Sequence, residues 1–304
     1  MTDIAAPRLN VLQVWMGPIL VLMGGICIGF APIGVRFGLD ALGPQAIAFW
    51  RYLFAVPMVL TLVLVAKKRL PARPNKFVFL AGCFFALDIG AWHAALTFTT
   101  VANATFLVNL GNIGVGFLAW IFLKDRPSWT WAMAVVIALI GAAFLTLGGS
   151  DLAVKDLRGE AFGLAAAALV SFYMLCVKIA RRELSGLDVL FWVTLSAAGM
   201  GALVTFAAGE AFLPTSMSGF AVPLFLAFVA QMGGQGLIIA GLGKTPASIA
   251  GVLVLIQPVV AAAISWQLFN ETLVTIQFLG GGLLLGGIIL AQQGARAKVD
   301  VAVD

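Results

Sequence analysis

Arg51, Asp88 and His93 are ionisable residues set deep inside long apolar stretches. Such a group at a bilayer centre costs about 2.5 to 3.5 kcal/mol on insertion scales, so each needs a reason to be there. Asp88 lies near the middle of its stretch, and Arg51 sits roughly 6 Å of helix rise to one side of that depth. The two are within reach of an ion pair, either a structural lock between helices or a coupling site for protons. His93, five residues beyond Asp88, falls about 140° further round a helix and should face other neighbours. Beside Trp92 it offers a polar handle next to an aromatic wall, either as hydrogen-bonded packing or as part of a substrate path.

Amides form a second group. Asn109 and Asn112 are spaced i, i+3 in a run that also carries Thr105 and Gly116, and Gln231 and Gln235 are spaced i, i+4 among Gly233, Gly234 and Gly236. Such stripes either glue helices together or line a substrate site, and Tyr173 is a further lining candidate. Pro32, Pro57 and Pro258 interrupt apolar stretches, and Pro32 and Pro258 are the hinge candidates. Gly25 with Gly29, and Gly282 with Gly286, have the spacing of close helix contacts. The one histidine cannot build a metal cluster, and Cys27, Cys83 and Cys176 form no CxxC pair, so no metal and no cofactor are expected. Gly243-Lys244-Thr245 lacks the earlier glycine of a phosphate loop, and Gly149-Ser150-Asp151 lacks the last glycine of a nucleophile elbow. With no hydrolytic constellation, the sequence does not read as an enzyme.

These residues must be positioned by helices in lipid. The 304 residues are 62% hydrophobic and 10% charged, and the apolar runs fall near 16–37, 45–66, 77–98, 101–123, 129–147, 160–179, 188–208, 220–242, 246–269 and 275–293. About 20 apolar residues of helix cross a bilayer core, and unpaired backbone groups are too costly there for anything but helices or a closed barrel. The expectation is an all-α integral membrane protein of ten transmembrane helices in a single membrane domain, 1–304. The first run is read as a retained helix, not a signal peptide. With an even span count, thirteen Lys and Arg in loops and tails, from Arg8 through the Lys67–Lys76 loop to Lys298, share one side, against Lys155 and Arg158 opposite. The positive-inside rule then puts both termini in the cytoplasm. The net charge of +5 is accounted for by this topology and the anionic inner leaflet. The partners expected are the lipid bilayer and a small-molecule substrate, with no nucleic acid, and the chain is a monomer or a weak homodimer.

The chain also repeats. Phe49 and Trp50 fall on Phe191 and Trp192, with Arg36 on Lys178 at the same offset; further on, Trp120, Asp125 and Gly141 fall on Trp266, Glu271 and Gly287. Repeats of five helices, 16–147 and 160–293, would enter the membrane from opposite sides, an inverted arrangement around a central cavity that permits alternating access. With Phe49-Trp50-Arg51, the Ala95-Leu96 to Ala102 turn, Pro258 followed by Asn270-Glu271, and the glycine-rich closing helices, the sequence resembles the EamA family of the drug/metabolite transporter superfamily. It departs in having Asn112 opposite Pro258, and Asp125 in place of a glutamate. The resemblance implies a secondary transporter of a bacterial inner membrane exporting neutral or aromatic amino acids and related metabolites without ATP; export of cationic drugs or purine-type metabolites is the alternative.

Overall fold

The computed structural model describes residues 11–98, 101–124, 127–147, 157–269 and 274–300. Arg8, Asp125, Arg126, Gly149-Ser150-Asp151, Lys155, Asn270 and Glu271 lie outside the described residues. The helices are α1 (Val11–Gly29), α2 (Ala31–Gly38), α3 (Pro44–Lys67), α4 (Lys76–Leu96), α5 (Val101–Leu123), α6 (Trp129–Leu147), α7 (Leu157–Ala180), α8 (Gly186–Ala207), α9 (Ala221–Leu226), α10 (Gly236–Leu242), α11 (Ala247–Val254), α12 (Ile256–Phe269) and α13 (Thr275–Asp300). A 3₁₀ turn (Met217–Phe220) leads into α9, and a π-helical segment (Ala227–Gln235) joins α9 to α10. Among the described residues, eight helical runs are long and apolar enough to cross a membrane, whereas Trp129–Leu145 and Thr275–Ala291 are apolar but shorter.

Local chemistry starts and stops these helices. Pro44 opens α3 after an extended Gly43, a place where its missing N–H has no helical partner to lose. Lys68 closes it in the left-handed conformation (φ 52°), donating its N–H to the Leu64 carbonyl. The Asn75 side chain accepts from the N–H groups of Phe77 and Val78 at the start of α4, and Ser185 caps α8 through the Asp188 N–H. Pro57, expected to interrupt its span, lies inside an unbroken α3.

The packing pairs follow a two-fold pattern. α4 lies on α7 as α1 lies on α10; α4 on α8 as α3 on the π-helical segment; α5 on α7 as α1 on α11 and α12. The pairs α3 with α8, α5 with α11, and α6 with α13 join helices that the expected repeat would make equivalent. Glycine sets the distances where backbones nearly touch: a Cβ on Gly24 would lie 2.6 Å from the Gly234 carbonyl oxygen, and one on Gly241 would lie 2.7 Å from that of Gly17. Gly25 and Gly29 meet Ile256 and Val260 of α12, whereas an added Cβ on Gly282 or Gly286 meets nothing within 4 Å.

Each end of the bundle carries a latch between the halves. At one end Asp188, on the first turn of α8, accepts from Lys67 Nζ (3.3 Å), from both terminal nitrogens of Arg69 (3.2 and 2.9 Å) and from the Ala72 N–H (3.0 Å). The pairing raises the pKa of the Arg69 guanidinium further above its ordinary value, the Asp188 hydrogen bond being the largest cause. At the other end Glu210 accepts from the Ala46 N–H of α3 (2.9 Å). Trp192 Nε1 donates to the Ala72 carbonyl in the first latch and Trp50 Nε1 to the Phe212 carbonyl in the second, so the two tryptophans aligned by sequence occupy matching places.

Candidate functional site

A cavity opens among the helices, with about 1130 Å³ of empty space counting its mouth. Pro32, Arg51, Asp88, Trp92 and His93 line it, as do Asn109, Asn112, Tyr173, Gln235 and Pro258. Gln231 does not: it is fully buried behind the wall. Its side chain is a support for Arg51, whose Nη2 donates to Gln231 Oε1 at 3.0 Å, while Gln231 Nε2 donates to Thr194 Oγ1 at 3.1 Å. The guanidinium carbon lies 5.6 Å from the ring centroids of both Tyr52 and Phe85.

The expected contact between Arg51 and Asp88 is therefore corrected. Arg51 takes an amide from the π-helical segment that packs on α3, and Asp88 Oδ1 has no hydrogen-bond partner although the residue is only 4% exposed. The π-helical segment also separates the two glutamines. Its wider turn leaves Gln231 reaching α3 and α8 while Gln235 accepts from the Tyr173 hydroxyl of α7.

His93 was expected to meet other neighbours than Asp88, and it bonds Gln45, yet both residues border the cavity. The reason is the width of the exposed stripe: Phe85, Asp88, Ile89, Trp92 and His93 of α4 all line it at i, i+3, i+4, i+7 and i+8, with Asp88 and His93 as its two edges. The His93 ring is fixed by Gln45, a residue at the start of α3 that the sequence did not single out. Gln45 Nε2 donates to the Gly90 carbonyl (3.1 Å), which orients its amide so that Oε1 accepts from His93 Nδ1 (3.4 Å). On α5 the amides bond along their own helix, Asn112 Nδ2 to Asn109 Oδ1 (3.1 Å) and Asn109 Nδ2 to the Thr105 carbonyl (2.9 Å). Through these bonds they do not join helices.

Two breaks in the helices face the cavity. α1 stops at Gly29 and α2 restarts with Pro32 in its first turn, and α11 stops at Val254 before α12 carries Pro258 in its first turn. A Cβ on Gly29 would lie 3.1 Å from the Gln257 carbonyl oxygen, so the two breaks pack against each other. At the end that carries Asp188 basic side chains tie helix ends together. Lys178 donates to the carbonyls of Leu242 and Thr245 (2.7 and 2.5 Å), and Arg181 Nε donates to the Ile239 carbonyl (3.0 Å), capping α10.

Comparison with known proteins gives consistent results. The chain is 24% identical to the uncharacterized transporter YetK of Bacillus subtilis over 283 residues, covering 89% of this chain and 81% of that protein. It is 24% identical to an uncharacterized transporter of Archaeoglobus fulgidus, covering 90% and 96%. It is 30% identical over 182 residues to the threonine/homoserine exporter RhtA of Escherichia coli, covering 59% and 58%. A crystal structure at 15% identity shares the fold, with a TM-score of 0.80 over 92% of this chain and 98% of that one. Residues 15–147 and, separately, 157–292 match the EamA-like transporter family. With nearly the whole chain covered by those two matches, it belongs to the EamA-like transporter family and is a multi-span membrane transporter.

Proposed function

We propose that this protein exports amino acids with neutral or aromatic side chains, and related small metabolites, by alternating access and without ATP. The observation that carries the reading is the cavity: apolar and aromatic over most of its wall, with one guanidinium, one carboxyl, one imidazole and a few amides. A phosphorylated ligand would call for several cationic groups, and a cationic drug is disfavoured by Arg51 in the wall. The likeness to an exporter named for threonine and homoserine supports the amino-acid class.

Ten spans in two inverted repeats account for the paired packing, the matched Trp50 and Trp192 latches and the two family matches. The cavity lies toward the end where α2 and α4 finish and α5 begins, and the opposite end is closed by the Asp188 latch and the capped α10. With the basic loop Lys67–Lys76 cytoplasmic in a bacterial inner membrane, this is an outward-facing state, and the facing breaks at Pro32 and Pro258 are the hinges that would reverse it. The test is efflux from purified-protein vesicles preloaded with labelled leucine, phenylalanine or threonine. Saturable, ATP-independent flux above empty vesicles is expected; flux of a purine or an organic cation with none of the three amino acids would overturn the reading.

A further inference from the structure

Arg51 and the Asp88 carboxyl stand on one cavity wall, and no hydrogen bond or ion pair joins them. Arg51 gives one N–H to the neutral amide of Gln231 and lies against two aromatic rings. Asp88 is almost wholly buried with Oδ1 unpartnered. An unpaired charge in a low-dielectric cavity is costly, and the cost is relieved by a counter-charge brought from outside. A guanidinium and a carboxyl on one cavity wall, each with a polar atom left unpartnered, fit a ligand that carries both signs a few bonds apart.

We propose that the cavity clasps an α-amino acid as a zwitterion in one direction, the carboxylate on Arg51 and the ammonium on Asp88, with its side chain on the apolar wall of Phe85, Ile89, Trp92 and Val108. This rests on the amino-acid reading above and adds which residues recognise the two ends. A ligand with only an ammonium leaves Arg51 unmatched and repelled, and one with only a carboxylate meets Asp88. The zwitterion satisfies both and adds no net charge, so the loaded carrier moves no more charge across the bilayer than the empty one. Gln231 is a positioning residue: bonded to Thr194, it holds the guanidinium in place before the ligand arrives.

The test is calorimetric binding to the purified full-length protein in detergent. L-leucine is compared with 3-methylbutylamine, which lacks the carboxylate, and with 2-hydroxy-4-methylpentanoate, which lacks the ammonium; the series is repeated with L-phenylalanine, phenethylamine and phenyllactate. In the unaltered protein each one-ended analogue should bind about 10- to 100-fold more weakly than its amino acid, the size of a lost charge-assisted hydrogen bond. Arg51→Gln should erase the preference over the amine alone, and Asp88→Asn the preference over the hydroxy acid alone. Amino acids bound no better than both analogues by the unaltered protein, or folded variants that keep both preferences, would overturn the clasp while leaving amino-acid transport standing. Binding of neither amino acid would remove the clasp, and absence of amino-acid flux in the vesicle assay would remove the export reading itself.

Discussion

Burial of Arg51 is tolerable because its surroundings are built around it. A guanidinium bonded to one amide and lying over two rings retains part of the stabilisation that water would provide, while its Nε is buried without a partner. Gln231 should therefore matter through Arg51. Gln231→Leu removes the acceptor of a buried charged donor, with an expected loss of about 1.5 to 3 kcal/mol. Arg51→Met removes the same bond, so the two losses should overlap by about 1 kcal/mol or more in a double-mutant cycle read by thermal unfolding in detergent. Strict additivity would show that the bond contributes nothing. From sequence, Arg51 and Asp88 could be recognised as costly residues at neighbouring depths, and pairing was the obvious remedy. That Arg51 instead takes a glutamine 180 positions away depends on which face of the π-helical segment meets α3.

At the scale of elements, helix contact in lipid lacks the water-driven term and depends on close packing. α1 meets α10 and the end of the π-helical segment through glycine backbones, so a side chain at Gly24 must displace the opposite chain at Gly234. Gly24→Val should lower the unfolding temperature and the yield of folded protein in detergent, while Gly286→Val, where an added Cβ meets nothing within 4 Å, should leave both near the unaltered values. Equal effects would mean that the α1 to α10 contact is not tightly packed. The sequence marked glycine pairs by spacing alone, and spacing did not separate Gly25 and Gly29, which pack on α12, from the open Gly282 and Gly286. By contrast the α4 stripe from Phe85 to His93 was legible in its i, i+3, i+4, i+7, i+8 spacing. Treating Asp88 and His93 as a pair 140° apart obscured the wider face that contains both.

For the molecule as a whole, basic residues cluster with the Asp188 latch and the α10 cap at one end, and Glu210 stands at the other. The topology proposed above would put Arg182 inside and Leu213 outside. On a background lacking Cys27, Cys83 and Cys176, an impermeant thiol reagent applied to intact cells should label Leu213→Cys and reach Arg182→Cys only after the membrane is opened. The reverse pattern would invert the orientation, and with it the assignment of the cavity to the outer face.

Composition and the length of the apolar runs determined that this chain is helical and solvated by lipid, because a backbone in hydrocarbon has few ways to satisfy its hydrogen bonds. Internal likeness around Trp50 and Trp192 suggested which helices would correspond, and the three deep ionisable residues that the sequence singled out line one cavity. The tertiary structure alone decided how those residues are used. Asp88 is left without a protein partner, Lys178 turns to backbone carbonyls, Gln231 stands behind the wall, and Gln45 orients His93. Each outcome depends on the rotation of one helix against another, set by glycine contacts and by a π-helical segment whose extra width no short-range sequence pattern encodes.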